Sequence, residues 1–479
     1  MMKKLFFGTV FLAAVFGMVF AGGTKQQGVS GEAGEKVTLR VVDWSDSNKV
    51  RRDAFHQEFM AKHPNINIEY SMMTIDQFRN TALTAIQSGD APDLFPVPSG
   101  MKLAMAVSEN WYTPLDGYVT QEFLNTIDPA YMADGYQKLN GKFYVFTEWG
   151  VTSSALVYYN KDILAEAGLD PAKIKTHADF RDACKKITQA GKGRYYGIIE
   201  GGNQLGRWET TARGWAGVAG GRAGRDNEVM VVNGRSIFDT PEMIGVVNLF
   251  RGIAQDGSFH PDTVSISAPE ARARFAQGAA GFLVQGIWCI TVWENDNPDF
   301  HFGVLPIPSP TATVKGSIPR GTPGPWMGIS SGSKHPEAAG RYLMELFGES
   351  YQGACVAAGG NVSIVKGINE KYMPPGATRE YYDAAVSQQR MAPDAMVIEP
   401  KVTDFYAQVR DIQPSLAAIM QGAVAGSIAD IPGALKALSD KATAEWDRTA
   451  KAIGIPLSTF EFRNWDPVKD YTSDMYQGR

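Results

Sequence analysis

Among the carboxylates of this chain that lie near tryptophans, Asp46 and Glu148 are candidates for binding chemistry. Asp46 closes the run Trp44-Ser45-Asp46, and Glu148 opens Glu148-Trp149. A carboxylate accepts two hydroxyl hydrogen bonds at once, and an indole offers a flat face to the C–H groups of a sugar ring. Brought together in space, the same two carboxylates would also serve as the acid and base of glycoside cleavage. Trp215, Trp288 and Trp326 are further candidate stacking faces among 10 tryptophans, although rings of this size equally fill a core. Gly286, just ahead of Trp288, would let the backbone approach a ligand, and Ser99 and Asn361 would each give one hydrogen bond. An anionic solute, such as a glycerol phosphodiester or a uronate, would require an Arg/Lys cluster at the site. Arg207 with Arg213 or Arg320 are the candidates.

Other chemistries lack their residues. The six histidines form no HExxH or HxH pattern, and no cysteine pair has metal-ligand spacing. Gly217, Gly220, Gly221 and Gly224 match neither GxxxxGK[ST] nor a GxGxxG opening a helix, so the stretch 203–226 reads as a glycine-rich bend. No metal and no cofactor are expected.

The 479 residues are too many for one compact core and suit two lobes. With 44% hydrophobic and 20% charged residues the composition is that of a globular protein, and a net charge of −5 argues against nucleic-acid or anionic-membrane partners. Cys184, Cys289 and Cys355 each sit in an apolar pattern and read as reduced core residues, with a Cys184–Cys289 bridge left open. Lys3 and Lys4, the apolar stretch 5–20 and the small residue Ala21 predict a signal peptide over 1–21, followed by a flexible glycine-rich leader over 22–36.

The elements that would position these residues alternate. Val37 to Trp44 reads as a strand, Val50 to His63 as a helix with Phe55, Phe59 and Met60 inward, and Ile66 to Tyr70 as a second strand. In such a β-loop-α-β unit the loop after the first strand lines a cleft, which places Trp44, Ser45 and Asp46 there. Ala155 to Tyr159 is an uninterrupted apolar run, as in a parallel sheet covered on both faces. Asn160 caps the helix that follows and Gly168 stops it. Thr176 and Asp179 form a capping box for a helix burying Phe180, Ala183, Cys184 and Ile187. Ala280 onward predicts a buried strand, a turn at Gln285-Gly286 and a helix start. His301 to Pro310 reads as a strand running into proline-rich turns, Pro336 to Phe347 and Ala434 to Trp446 as amphipathic helices.

The wording of several stretches carries more. YYNKDILAEAGLDP from Tyr158, KTHADF from Lys175, APDLF from Ala91 and SKHPEAA from Ser333 resemble the extracellular solute-binding proteins that feed sugars to ABC importers, the maltose-binding-protein-like family. The echoes run from Val37 to about Trp446. The resemblance implies an α/β, two-lobed periplasmic-binding-protein fold, each lobe a doubly wound sheet flanked by helices, joined by three hinge crossings. It divides the chain into an N-terminal lobe (37–152 plus 302–359) and a C-terminal lobe (153–301 plus 360–479). It implies a ligand site drawn from Trp44, Ser45, Asp46, Ser99, Glu148, Trp149, Trp215, Gly286, Trp288, Trp326 and Asn361. It further implies a monomeric, non-enzymatic protein of the periplasm that captures a sugar, an oligosaccharide by the number of tryptophans, and delivers it to membrane permease subunits driven by a separate ATPase. Many members carry a lipid on a cysteine after the signal peptide. Here Ala21-Gly22-Gly23 stands at that place, so a freely diffusing protein is expected.

Overall fold

Eight strands build the two main sheets: β1 (Val37–Asp43), β2 (Ile66–Met72), β3 (Leu94–Pro96), β4 (Leu156–Asn160), β5 (Tyr196–Ile199), β6 (Ala280–Gln285), β7 (Phe302–Leu305) and β8 (Met327–Ile329). The computed structural model describes residues 36–99, 101–128, 131–132, 135–150, 153–224, 228–321, 324–399 and 401–478. The expected signal peptide, and all of the expected leader but Lys36, lie outside the described residues.

The first sheet has the order β8-β3-β1-β2. β1 runs parallel to β2 and β3, while β8 adds antiparallel at the edge of β3. Parallel neighbours require a crossover, supplied between β1 and β2 by the helix Lys49–Lys62, which buries Arg52, Phe55, His56 and Phe59. The second sheet has the order β7-β4-β6-β5. β4 is buried as its apolar run predicts, but both its neighbours, β6 and β7, are antiparallel; only β6 and β5 are parallel. Apolar residues on both faces report cover by helices, and the direction of the neighbours leaves no such mark.

Local signals around β4 hold. Asn160 accepts from the N–H groups of Asp162 and Ile163, Gly168 has φ +67°, and Thr176 with Asp179 closes the capping box. The stretch after β5 differs from expectation. Leu205–Val218 is a helix, not a glycine-rich bend. Its glycines are packing positions: a Cβ at Gly214 would meet Ala155 Cβ at 2.8 Å, and one at Gly217 would meet the Ser317 carbonyl oxygen at 2.4 Å. Close approach of helix and chain offsets the low helix propensity of glycine, about 1 kcal/mol per residue.

The lobe boundaries also shift. Phe302–Leu305, expected to begin the return to the first lobe, pairs instead with β4 in the second sheet. The chain re-enters the first lobe only between Ile318, in the second core, and Trp326, in the first. Ile364, Val365 and Ile368 then still pack in the first core, and Tyr381 in the second, so the last crossing falls after 360. Both boundaries were carried over from the family resemblance, and likeness over short stretches does not say which core a strand joins.

The C-terminal segment packs. Phe460, Phe462, Trp465 and Tyr471 are buried in the second core beneath the helix Ile431–Ile453. Cys184, Cys289 and Cys355 are free and buried, so the Cys184–Cys289 bridge is not formed. Among the described residues no helix is long and apolar enough to cross a membrane, and no cluster of His, Cys, Asp and Glu would hold a metal ion.

Candidate functional site

The loops that follow β1, β3 and β6 converge between the lobes and line a cavity of about 1050 Å³, which meets a second of about 520 Å³ toward the hinge. Trp44, Ser99, Lys102, Glu148, Trp149 and Trp288 line both cavities. Loops after strand C-termini are where open α/β sheets bind ligands, because the helices that follow leave a crevice there.

The first-lobe wall rests on a buried polar network. Arg52, fully buried, donates to Asp43 Oδ2 at 2.5 Å and to Tyr351 Oη at 3.0 Å, with its guanidinium 5.3 Å from the Tyr351 ring and 5.5 Å from the Trp326 ring. Asp43 also accepts from Tyr70 Oη at 2.7 Å and from the Ser45 N–H. Its ion pair is therefore fully hydrogen-bonded, the condition on which a buried pair is tolerated. His56 lies beside it against Tyr342, and burial, then the Arg52 charge, lowers its pKa to about 3, so it is neutral. Trp44 leans edge-on against Phe78, and Trp149 stacks on Tyr351; both remain half-buried with a face toward the cavity. Between them Glu148 is pushed from its ordinary 4.5 to about 8, chiefly by burial and then by the Asp43 carboxylate, against the opposing pull of Arg52 and a hydrogen bond from Trp149. At neutral pH it is a protonated acid, a donor as well as an acceptor.

The second-lobe wall comes from the start of the Trp288–Asp296 helix, the Leu205–Val218 helix and the Ala268–Ala276 helix. Gly286 does not itself line the cavity. A Cβ there would strike the Trp288 ring at 2.2 Å, so the glycine lets that ring fold back over the end of β6 into the cleft. Arg207, Thr210 and Arg213 project from one face of their helix, with Arg213 held by Glu209 at 2.8 Å and the Ala223 carbonyl at 2.9 Å. Burial raises Glu200, behind Arg207, to about 7.

Contacts from Asp46 and Lys102 tie the walls together. Asp46 pairs with the buried Arg272 from across the cleft. Lys102 lies 4.3 Å from the Tyr406 ring of the second lobe. On the first-lobe side, Asn48 and Asn361 exchange amide hydrogen bonds of 3.1 and 3.0 Å.

Of the residues expected here, Trp44, Ser45, Asp46, Ser99, Glu148, Trp149, Trp288 and Asn361 do line the cavities. Trp215 does not: it is wholly buried, packed by Phe180 and Phe250, and its Nε1 donates to the Ala155 carbonyl. Trp326 is likewise core, between Arg52 and Phe347. Both corrections share one cause, since an indole serves a core as readily as a ligand and only the neighbours differ. Asn361 spends its amide on Asn48. Of the candidate arginines Arg207 and Arg213 face the larger cavity, while Arg320 is not among its lining residues. Arg52, Lys102 and Arg272 were not foreseen. Arg52 shares helical spacing with Phe55 and Phe59, and Arg272 with Ala268, Ala271 and Phe275, a signal that a charge sits on a buried face.

Two sheet-centred lobes around a cleft, lined from both sides by aromatic and polar groups, define a two-lobed solute-binding protein. The model of the bacterial extracellular solute-binding protein family matches residues 44–353, and the chain belongs to that family. As a member it is a binding protein and not an enzyme. The chain is 24% identical over 288 residues to a binding protein of Brucella abortus, covering 60% of this chain and 66% of that one. It is 23% identical over 281 residues to an arabinooligosaccharide-binding protein of Halalkalibacterium halodurans, covering 56% of this chain and 57% of that one. The matches thus span two thirds or less of those relatives. Among solved structures, an ABC transporter solute-binding protein from Thermotoga lettingae, bound with α-D-tagatose, superposes with a TM-score of 0.67 at 20% identity, over 85% of this chain and 99% of that one. That likeness is one of fold.

Proposed function

We propose that this protein is the substrate-binding component of an ABC importer and captures a sugar, an oligosaccharide, in the cleft between its lobes. The observation that carries the reading is the trio Trp44, Trp149 and Trp288, half-buried indole faces from both lobes around one cavity of about 1050 Å³ with hydrogen-bonding groups between them. Flat faces take the C–H side of a pyranose, and the polar groups take its hydroxyls. The arabinooligosaccharide in the name of one relative, and the tagatose bound by one protein of the same fold, agree with this chemistry. Closure of the lobes around the solute would follow from its touching both walls, because a ligand that contacts both binds the closed state better. The protein, a monomer exported to the periplasm in this reading, would then dock on membrane permease subunits served by a separate ATPase. Thermal-shift and tryptophan-fluorescence titration against a panel of mono- and oligosaccharides tests the proposal. A stabilising, saturable response to an oligosaccharide is expected, with the sugar recovered unaltered. Silence across the panel, or released product, would overturn it.

A further inference from the structure

The second-lobe wall holds buried donors that lack acceptors. Arg272 is 5% exposed; its Nη2 meets Asp46, while its Nε is buried without a hydrogen-bond partner. Arg207 is 6% exposed and gives Nη2 to the carbonyls of Ser154 and Val284, at 2.7 and 3.0 Å. Its Nε has no hydrogen-bond partner, the Glu200 carboxylate at 3.9 Å being an ion pair beyond hydrogen-bond reach. Gln285, wholly buried, accepts the Gly286 N–H through Oε1 at 3.4 Å, which orients its amide and leaves Nε2 an unpaired donor. All three residues line the larger cavity, and both guanidinium charges act on the Cys289 thiol, so they share one corner.

A guanidinium offers five N–H donors and no acceptor, and its Nε–Nη2 edge matches the two oxygens of a planar carboxylate. A sugar hydroxyl satisfies one such donor; a carboxylate satisfies both. Asp46 already shows the preference, since its carboxylate crosses the cleft to Arg272, yet it engages Nη2 alone. Its side chain is 36% exposed, at the start of the 3-10 turn Asp46–Asn48, where it can turn to solvent.

We propose that this corner is a subsite for a carboxylate carried on the solute, so that the captured sugar is an acidic saccharide containing a uronic acid. Arg272 takes the carboxylate through Nε and Nη2, Gln285 adds a third donor, and Asp46 yields its place. The inference rests on the sugar-binding reading and narrows it. Titration calorimetry on the full chain with uronic-acid di- and trisaccharides, their methyl esters and the neutral parent saccharides tests it. The free acids should bind about tenfold to a hundredfold tighter than the esters, the worth of charge-assisted hydrogen bonds. Arg272→Met should abolish that preference, and Asp46→Asn, by removing the competing carboxylate, should tighten acids more than neutral sugars. Equal binding of acid and ester, or a sugar phosphate held in preference to every uronate, overturns the subsite while sugar capture stands. No response to any saccharide removes the sugar reading and this one with it. Should Arg272→Met fail to fold, the acid-against-ester comparison on the wild type decides.

Discussion

Trp288 and Glu148 are the two side chains whose environments make the sharpest claims. Trp288 presents a half-buried ring that Gly286 makes room for, so its loss should remove a stacking face without emptying a core. Trp288→Ala is expected to fold with a near-unchanged Tm and to bind its sugar about three- to tenfold more weakly, from the 0.5–1.5 kcal/mol typical of aromatic contacts beyond burial. Normal affinity in calorimetry would take Trp288 out of the site. Glu148 makes a prediction about pH. Its carboxyl ionises near its ordinary 4.5 in the unfolded chain and only at about 8 in the folded one, burial being the main cause. Between those values the native state holds the extra proton, so its contribution to stability is full below about 4.5 and is lost as pH rises through about 8. Glu148→Gln cannot titrate. Urea unfolding of both proteins at about pH 5 and about pH 8 should therefore show the wild type losing more stability than the variant, by roughly 1–3 kcal/mol. Parallel losses would mean the carboxyl is already ionised in the fold.

The helix Leu205–Val218 decides how the second lobe reaches the cleft. It carries Arg207, Thr210 and Arg213 to the cavity on one face and buries Trp208 and Trp215 on the other. Both depend on its glycines lying against neighbouring chain. Gly217→Ala sets two effects against each other. Alanine favours a helix over glycine by about 1 kcal/mol. Its methyl would stand 2.4 Å from the Ser317 carbonyl oxygen, a backbone atom that cannot rotate away, and such overpacking costs about 1–3 kcal/mol. The clash should win, giving a lower Tm; a raised Tm would show that the helix has slack against the 317 segment.

At the scale of the whole molecule, the proposed closure would depend on contacts made where the lobes meet. Lys102 of the first lobe, 4.3 Å from the Tyr406 ring of the second, is one of them. A cation over an aromatic face contributes about 0.5–1 kcal/mol where exposed. Lys102→Met, which removes the cation and leaves the buried Tyr406 in its core, should therefore leave each lobe folded, raise the solute's dissociation rate about two- to fivefold, and enlarge the radius of gyration of the liganded protein in small-angle scattering. Unchanged dissociation would show that the solute alone holds the cleft shut.

Much of this protein is legible in its residues because the rules concerned are local. The caps at Asn160 and Thr176, the left-handed Gly168, the apolar run of β4 and the helix stripe through Phe180 and Ile187 need only their neighbours in the chain, and the structure keeps them all. The loop holding Trp44, Ser45 and Asp46 was placed by a rule nearly as local, that a strand's C-terminal end opens onto a crevice. Other features depend on what arrives from elsewhere. Trp215 and Trp288 are the same side chain, each with a glycine just ahead of it, yet one meets Phe180 and Phe250 and the other meets the cleft. Phe302–Leu305 would suit either sheet and joins the second because β4 has an open edge there. Asp46 looked free to serve a ligand until a buried arginine more than two hundred positions away came to face it. Residue type and spacing determine which elements form and which way they bury; partners distant in sequence become neighbours only after folding, and so it is tertiary structure that settles whether a polar or aromatic group is spent inside the protein or left for a solute.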